Sequence, residues 1–176
     1  MGFVNAHFVA YTTDFGATAV QGAGALATVG IAGLAGGLSF GFFADKFGRR
    51  PLLTISYAMR AFGYAVLLVA SSLPMAILGV VIIGSSWTSV ISLTGTVASD
   101  EFGLRKLGTI YGTMFIVMPF GASSAVWLAG KIYDTHGNYD LAMWISLGMA
   151  LIAATAVGIP STGISKKLWA QTPQTD

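Results

Sequence analysis

The sequence contains no cysteine. That excludes disulfide frameworks, thiolate catalysis and cysteine-built metal sites, and it leaves the redox compartment unread. Charge is nearly as scarce: 9% of the 176 residues are charged, whereas 55% are hydrophobic. A soluble domain carries about a quarter charged residues, so this chain cannot clothe itself for water, and the solvent for most of it is lipid. The net charge of +2 is small and dispersed, and no basic run is interleaved with aromatics, so no nucleic-acid partner is expected. With two histidines and no embedded acid pair or nucleophile constellation, the chain does not read as an enzyme, and no metal is expected. Gly22-Ala-Gly24-Ala-Leu-Ala27 fits the letters of a dinucleotide-binding loop but follows no strand and lies inside an apolar run, so no cofactor is expected either. The opening residues carry neither the basic start and cleavage site of a signal peptide nor the Ser or Thr of a myristoylation signal.

What the chain has in quantity is long apolar runs. Residues 15–44 are uncharged, as are 61–99, and the second run would be about 58 Å long as one helix, too long for a single crossing. Ser71-Ser-Leu-Pro74 supplies the break. The expected fold is an all-α membrane protein with one transmembrane domain over residues 1–159 and five full spans at about 15–44, 51–70, 75–98, 107–130 and 141–159. Asp14 is placed to cap the first of these spans and Pro51 to open the second. Residues 1–13 would reach only about 20 Å as a helix, so they form a half-helix, and the chain is expected to begin inside a longer protein. Residues 160–176 read as a polar, disordered tail.

Charge then orients the spans, because cytoplasmic loops collect Lys and Arg. Lys46, Arg49, Arg50, Arg105, Lys106, Lys166 and Lys167 fall on one side, out of nine basic residues in all. That side, and the C-terminus with it, is expected to be cytoplasmic, in a plasma or bacterial inner membrane. Gly41-x-x-x-Asp45-x-x-Gly48 recurs as Gly130-x-x-x-Asp134-x-x-Gly137 with three crossings between, which is what an inverted repeat of three helices plus three would leave. Asp45-x-Phe-Gly-x-Arg50 recurs on the same side as Asp100-x-Phe-Gly-x-Arg105. Gly33, Gly37 and Gly41 form a small-residue stripe expected to pack against another helix.

Written out, Gly41 to Arg50 is Gly-x-x-x-Asp-Lys-x-Gly-Arg-Arg, which closely resembles the loop signature of the major facilitator superfamily of secondary transporters. With the span pattern, the resemblance extends over nearly the whole chain and implies the C-terminal six-helix half of that fold, with most of its first helix missing. His7-x-x-x-Tyr11-x-x-Asp14-x-Gly16, Asp100-Glu-Phe-Gly103 and Tyr133-Asp134-x-x-Gly137-x-Tyr139 are similar to the monocarboxylate and oxalate/formate porter branch. The resemblance implies alternating-access transport of a small organic solute, a carboxylate being one candidate, with a missing N-terminal half or a second copy completing the path. The alternative is a non-transporting scaffold, an orphan half that packs against another membrane protein.

The resemblance also implies a conformational latch in Gly41, Asp45, Lys46, Gly48, Arg49 and Arg50: Asp45 faces a helix N-terminus in one transport state, and the basic residues pair with Asp100 or Glu101. A positive-inside anchor with solvated charges is the plainer alternative. Arg60 falls near mid-membrane, about 13 Å beyond Pro51, and needs a partner: a solute carboxylate, a structural ion pair or main-chain carbonyls. Trp87 and Ser89, in a hydroxyl-rich span centre, line either a solute path or a helix contact, and Gln21, Tyr111 and Ser123 are weaker candidates of the same kind. Asn5 and His7 on the half-helix complete the candidate path. His7 either shuttles a coupled proton or is a hydrogen-bonded packing residue. Pro119 should kink or flex the fourth span.

Overall fold

The computed structural model describes residues 1–159, and the expected tail, with Lys166 and Lys167, lies outside the described residues. The described chain is all-helical: α1 Gly2–Thr13, α2 Ala19–Phe47, α3 Arg49–Leu68, α4 Leu73–Phe102, α5 Leu107–His136 and α6 Asp140–Gly158, with a 3-10 turn at Leu104–Lys106 before α5. The five helices from α2 to α6 are long and apolar enough to cross a membrane, and α1 is the short one. Helix α4 is central. Helices α2 and α3 pack along it, α6 packs on α3, and α1 lies against α2 and α5.

Apolar surface alone does not hold helices together in lipid, so close backbone approach must contribute. Between α2 and α4 that approach is made by glycine. A Cβ at Gly36 would lie 2.0 Å from the Ser85 carbonyl oxygen, and Cβ atoms at Gly33 and Gly37 would lie 3.0 and 2.9 Å from Thr88. Gly41 does not share in this contact, since nothing lies within 4 Å of its Cβ position. The expected stripe fails there because each four-residue step overshoots a full turn by about 40°, so the row winds off the contact line. Between α3 and α4, Gly63 and Gly79 face each other, with each Cβ position 3.0–3.2 Å from the other's carbonyl oxygen. The main core, built on Val4, Phe8, Leu67, Val80, Ile83 and Met143, lies where α1, α3, α4 and α6 meet.

Several ends differ from expectation for local reasons. Helix α2 is capped by Thr18 rather than Asp14: Thr18 Oγ1 accepts from the Gln21 N–H, and the Gln21 side chain accepts from the Thr18 N–H, a reciprocal box. Asp14 is instead the residue that ends α1. The expected basic loop shrinks to Gly48, whose φ of 91° only glycine adopts comfortably. Asp45 and Lys46 belong to the last turn of α2, and Arg49 and Arg50 to the first turn of α3. Asp100 and Glu101 likewise lie in the last turn of α4, and α5 runs on to His136, past the expected end of its span at 130.

Candidate functional site

The basic end of the bundle is held by two arginines. Arg49 Nη1 donates to Asp100 Oδ1 at 2.7 Å and Arg50 Nη1 to Glu101 Oε1 at 3.0 Å, which ties the start of α3 to the end of α4. Arg50 reaches further: its Nε donates to the Val157 carbonyl at 2.9 Å and its Nη2 to the Ile159 carbonyl, so one guanidinium at the start of α3 holds the ends of both α4 and α6. The planar fork of arginine suits this, since it presents several donors in fixed directions. The carbonyls it meets belong to the last turn and the C-cap of α6, where main-chain acceptors lack helical partners and the dipole favours a cation.

Asp45 takes part in no ion pair among the described residues, and it is exposed. It sits two residues from the end of α2, where the helix dipole disfavours a carboxylate. The stability of its own helix therefore does not explain Asp45. Lys46 stands 5.5 Å from the centre of the Phe47 ring.

Arg60 is the second anomaly. No carboxylate pairs with it among the described residues, its Nε is buried without a partner, and Nη2 makes one long contact, 3.5 Å, to the Ser86 carbonyl. Two aromatic rings flank it, Tyr57 one turn back on α3 at 5.7 Å and Trp87 on α4 at 5.3 Å. Such contacts favour a cation by about 0.5–2 kcal/mol, against an insertion cost of roughly 2.5–3.5 kcal/mol for arginine at a span centre. Tyr57 escaped the sequence reading, although its spacing three residues before Arg60 places both on one helical face.

The other candidates separate. Ser89 is fully buried and donates to the Ser85 carbonyl at 3.1 Å, while Ser85 and Ser86 donate to the Ile82 and Ile83 carbonyls, so these hydroxyls serve their own helix. Gln21 is occupied in the α2 cap. Tyr111 spans from α5 to α4, its hydroxyl donating to the Ile91 carbonyl at 2.9 Å and its ring resting on Gly95. It lines an apolar groove of about 460 Å³ between α3, α4 and α5, together with Tyr57, Val90, Met114 and Phe115. Ser123 and Asn5 are exposed on α5 and α1, apart from that groove.

At the opposite end, His7 Nε2 donates to the Val126 carbonyl at 3.1 Å, which leaves Nδ1 as acceptor for the Tyr139 hydroxyl at 3.3 Å. Burial, followed by Tyr133 and the Asp14 and Asp134 carboxylates, raises the Tyr139 phenol above its usual range and keeps it a donor. His7 thus joins α1 to α5 and to the start of α6, within rings from Phe3 and Tyr139.

Comparison with known proteins places this architecture. The chain is 24% identical over 114 residues to a "Triacylglyceride transporter" of Mycolicibacterium smegmatis, covering 65% of this chain and 20% of that protein. It is 28% identical over 150 residues to the "Uncharacterized MFS-type transporter YcxA" of Bacillus subtilis, covering 78% and 35%. An "MFS-type transporter" of Aspergillus terreus is 33% identical over 107 residues, covering 61% and 19%. The chain thus spans between 19% and 35% of the length of these relatives, and none of the three lends support to the monocarboxylate or oxalate/formate branch. The Major Facilitator Superfamily profile matches residues 1–168, and on that extent, with five membrane-capable helices beneath it, the chain belongs to the Major Facilitator Superfamily.

Proposed function

We propose that this chain is the C-terminal half of a secondary transporter, moving a small organic solute by alternating access. The observation that carries the proposal is the arrangement at the basic end. Arg49 and Arg50 clamp α3, α4 and α6 into one block, while Asp45 projects from the end of α2 with no ion pair in that block. A carboxylate held there is suited to bind the N-terminus of a helix outside this block, where free N–H groups and the dipole attract an anion. Making that contact in one state and breaking it in the other is what a latch requires. The helix it would meet belongs to a complementary half or to a second copy.

The basic end is the cytoplasmic one in this reading, in a plasma or bacterial inner membrane, and it carries the C-terminus with it. Arg60, which meets no carboxylate among the described residues, favours an anionic solute, a carboxylate being the simplest, and the triacylglyceride transporter among the relatives favours an apolar one. His7, hydrogen-bonded on both ring nitrogens, is the candidate for a coupled proton. Uptake of labelled octanoate into proteoliposomes, with the chain alone and with a complementary half co-expressed, tests the proposal. Saturable uptake that falls at least tenfold in Asp45→Asn, with the fold intact, is expected. Absence of saturable flux in both preparations would instead favour a scaffold that only packs.

A further inference from the structure

We propose that Nδ1 of His7 is the atom that takes up the coupled proton, and that the Tyr139 hydroxyl is its positioning partner in both charge states. The inference rests on the reading of His7 as the proton-carrying residue, and it names the atom and the group that serve it. His7 Nε2 lies 3.1 Å from the Val126 carbonyl oxygen, and Nδ1 lies 3.3 Å from the Tyr139 hydroxyl. A carbonyl can only accept, so Nε2 carries a hydrogen whether the ring is neutral or charged. Only Nδ1 is left to gain or lose one. A phenol both donates and accepts, so Tyr139 serves a bare Nδ1 as donor and a protonated Nδ1 as acceptor. Neither ring has to move, because the hydroxyl hydrogen turns about its own C–O bond. One proton passes from water to Nδ1, one N–H bond forms, and Tyr139 keeps its own hydrogen.

The Tyr139 ring is fixed in place. It stacks on Tyr133 with centroids 4.5 Å apart and meets Phe3 edge to face at 5.3 Å. Burial first, then Tyr133 and the Asp14 and Asp134 carboxylates, raise its phenol above the usual range, so it keeps its hydrogen wherever histidines titrate. The same carboxylates attract the hydroxyl hydrogen once it has turned away from a charged His7. The charged and titratable groups on the surrounding helices are few. Helix α5 presents the Val126 carbonyl and Gly130, whose Cβ position is 3.7 Å from His7 Cε1, and carries Lys131, Tyr133 and Asp134 in the turn that follows. Helix α6 carries Asp140 beside Tyr139. Helix α1 carries Tyr11, whose hydroxyl is given to the Leu67 carbonyl, and ends at Asp14. Helices α2 and α4 bear their charges at the basic end, and α3 bears Tyr57, Arg60 and Tyr64 on the basic side of Leu67.

The chain has two histidines, so in His136→Gln, with isotope-labelled histidine and an affinity tag free of histidine, every imidazole signal belongs to His7. Nitrogen NMR of the full chain in detergent, followed from about pH 8.5 to about pH 5, reads the state of each ring nitrogen. The expected result is a neutral ring with its hydrogen on Nε2 alone, and an acid titration in which Nδ1 passes from bare to protonated while Nε2 stays protonated. Tyr139→Phe removes the hydroxyl and keeps the stack on Tyr133. A charge-assisted hydrogen bond is about twice as strong as a neutral one, so the charged state loses more, and the titration midpoint should fall by at least about half a pH unit with the tautomer unchanged. A neutral ring with hydrogen on Nδ1, a mixture of the two forms, or a ring that stays neutral throughout in the folded chain would overturn the proposal. So would a folded Tyr139→Phe whose midpoint falls by less than this or rises. If Tyr139→Phe fails to fold, the tautomer and titration of His7 beside an intact Tyr139 decide alone. The expected titration in a chain that gives no saturable octanoate uptake would overturn the transporter reading and leave the protonation site standing; saturable uptake with the neutral ring's hydrogen on Nδ1 would do the reverse.

Discussion

Arg49 and Arg50 are neighbours in sequence but differ in what they hold. Arg49 has one exposed acid, its side chain 42% and that of Asp100 52% accessible, and such pairs contribute about 0–1 kcal/mol. Arg50 is more buried and donates to carbonyls at the end of α6 as well as to Glu101, so truncating it removes a donor from each of three acceptors. Arg50→Ala should therefore destabilise the chain by about 1–3 kcal/mol, discounted for its partial exposure, and Arg49→Ala by less than about 1 kcal/mol. Thermal unfolding in detergent, followed by circular dichroism, checks the order of the two. Equal shifts would mean that the α6 carbonyls gain nothing from Arg50. The charges that meet at this end are visible in the sequence as Arg-Arg and Asp-Glu, but Val157 and Ile159 are apolar residues that contribute only their main chain. Main-chain acceptors leave no trace in residue identity.

At the scale of the helix, Asp-x-x-Gly ends three elements alike. Asp45, Asp100 and Asp134 each lie three residues before a glycine of positive φ, at Gly48, Gly103 and Gly137, which stops α2, α4 and α5. The repeats seen in sequence are thus repeats of a helix stop. Gly36 illustrates the opposite limit. The regular spacing of Gly33, Gly37 and Gly41 was visible as a stripe, whereas Gly36, off that row, makes the closest approach to α4. Sequence spacing shows a face of the helix, but where the neighbour crosses it is decided by packing. Gly36→Ala should cost about 1–3 kcal/mol or more, because the obstructing atom is main chain and cannot rotate away, whereas Gly41→Ala should be close to neutral. The same unfolding measurement distinguishes them, and a tolerant Gly36→Ala would contradict the close α2–α4 contact. The start of α2 differs from expectation for a related reason: Asp14 and Thr18 are both good caps by type, and the Gln21 side chain folding back on Thr18 selects the later one.

For the whole molecule, the all-helical membrane architecture is legible in composition alone, because a chain with 9% charge and apolar runs this long must satisfy its main chain internally. The solute is less legible. Arg60 announces a cost, and its aromatic neighbour on α4 cannot be seen until α3 and α4 are placed together. The account depends most on which way the bundle faces. Since the chain has no native cysteine, a single one can be introduced as Lys46→Cys at the end of α2 or as Thr135→Cys at the far end of α5. Labelling intact cells with a membrane-impermeant maleimide should then modify the Thr135→Cys protein at once and the Lys46→Cys protein only after the membrane is opened. The reverse pattern, or labelling of both from the same side, would contradict the proposed orientation and the latch built on it.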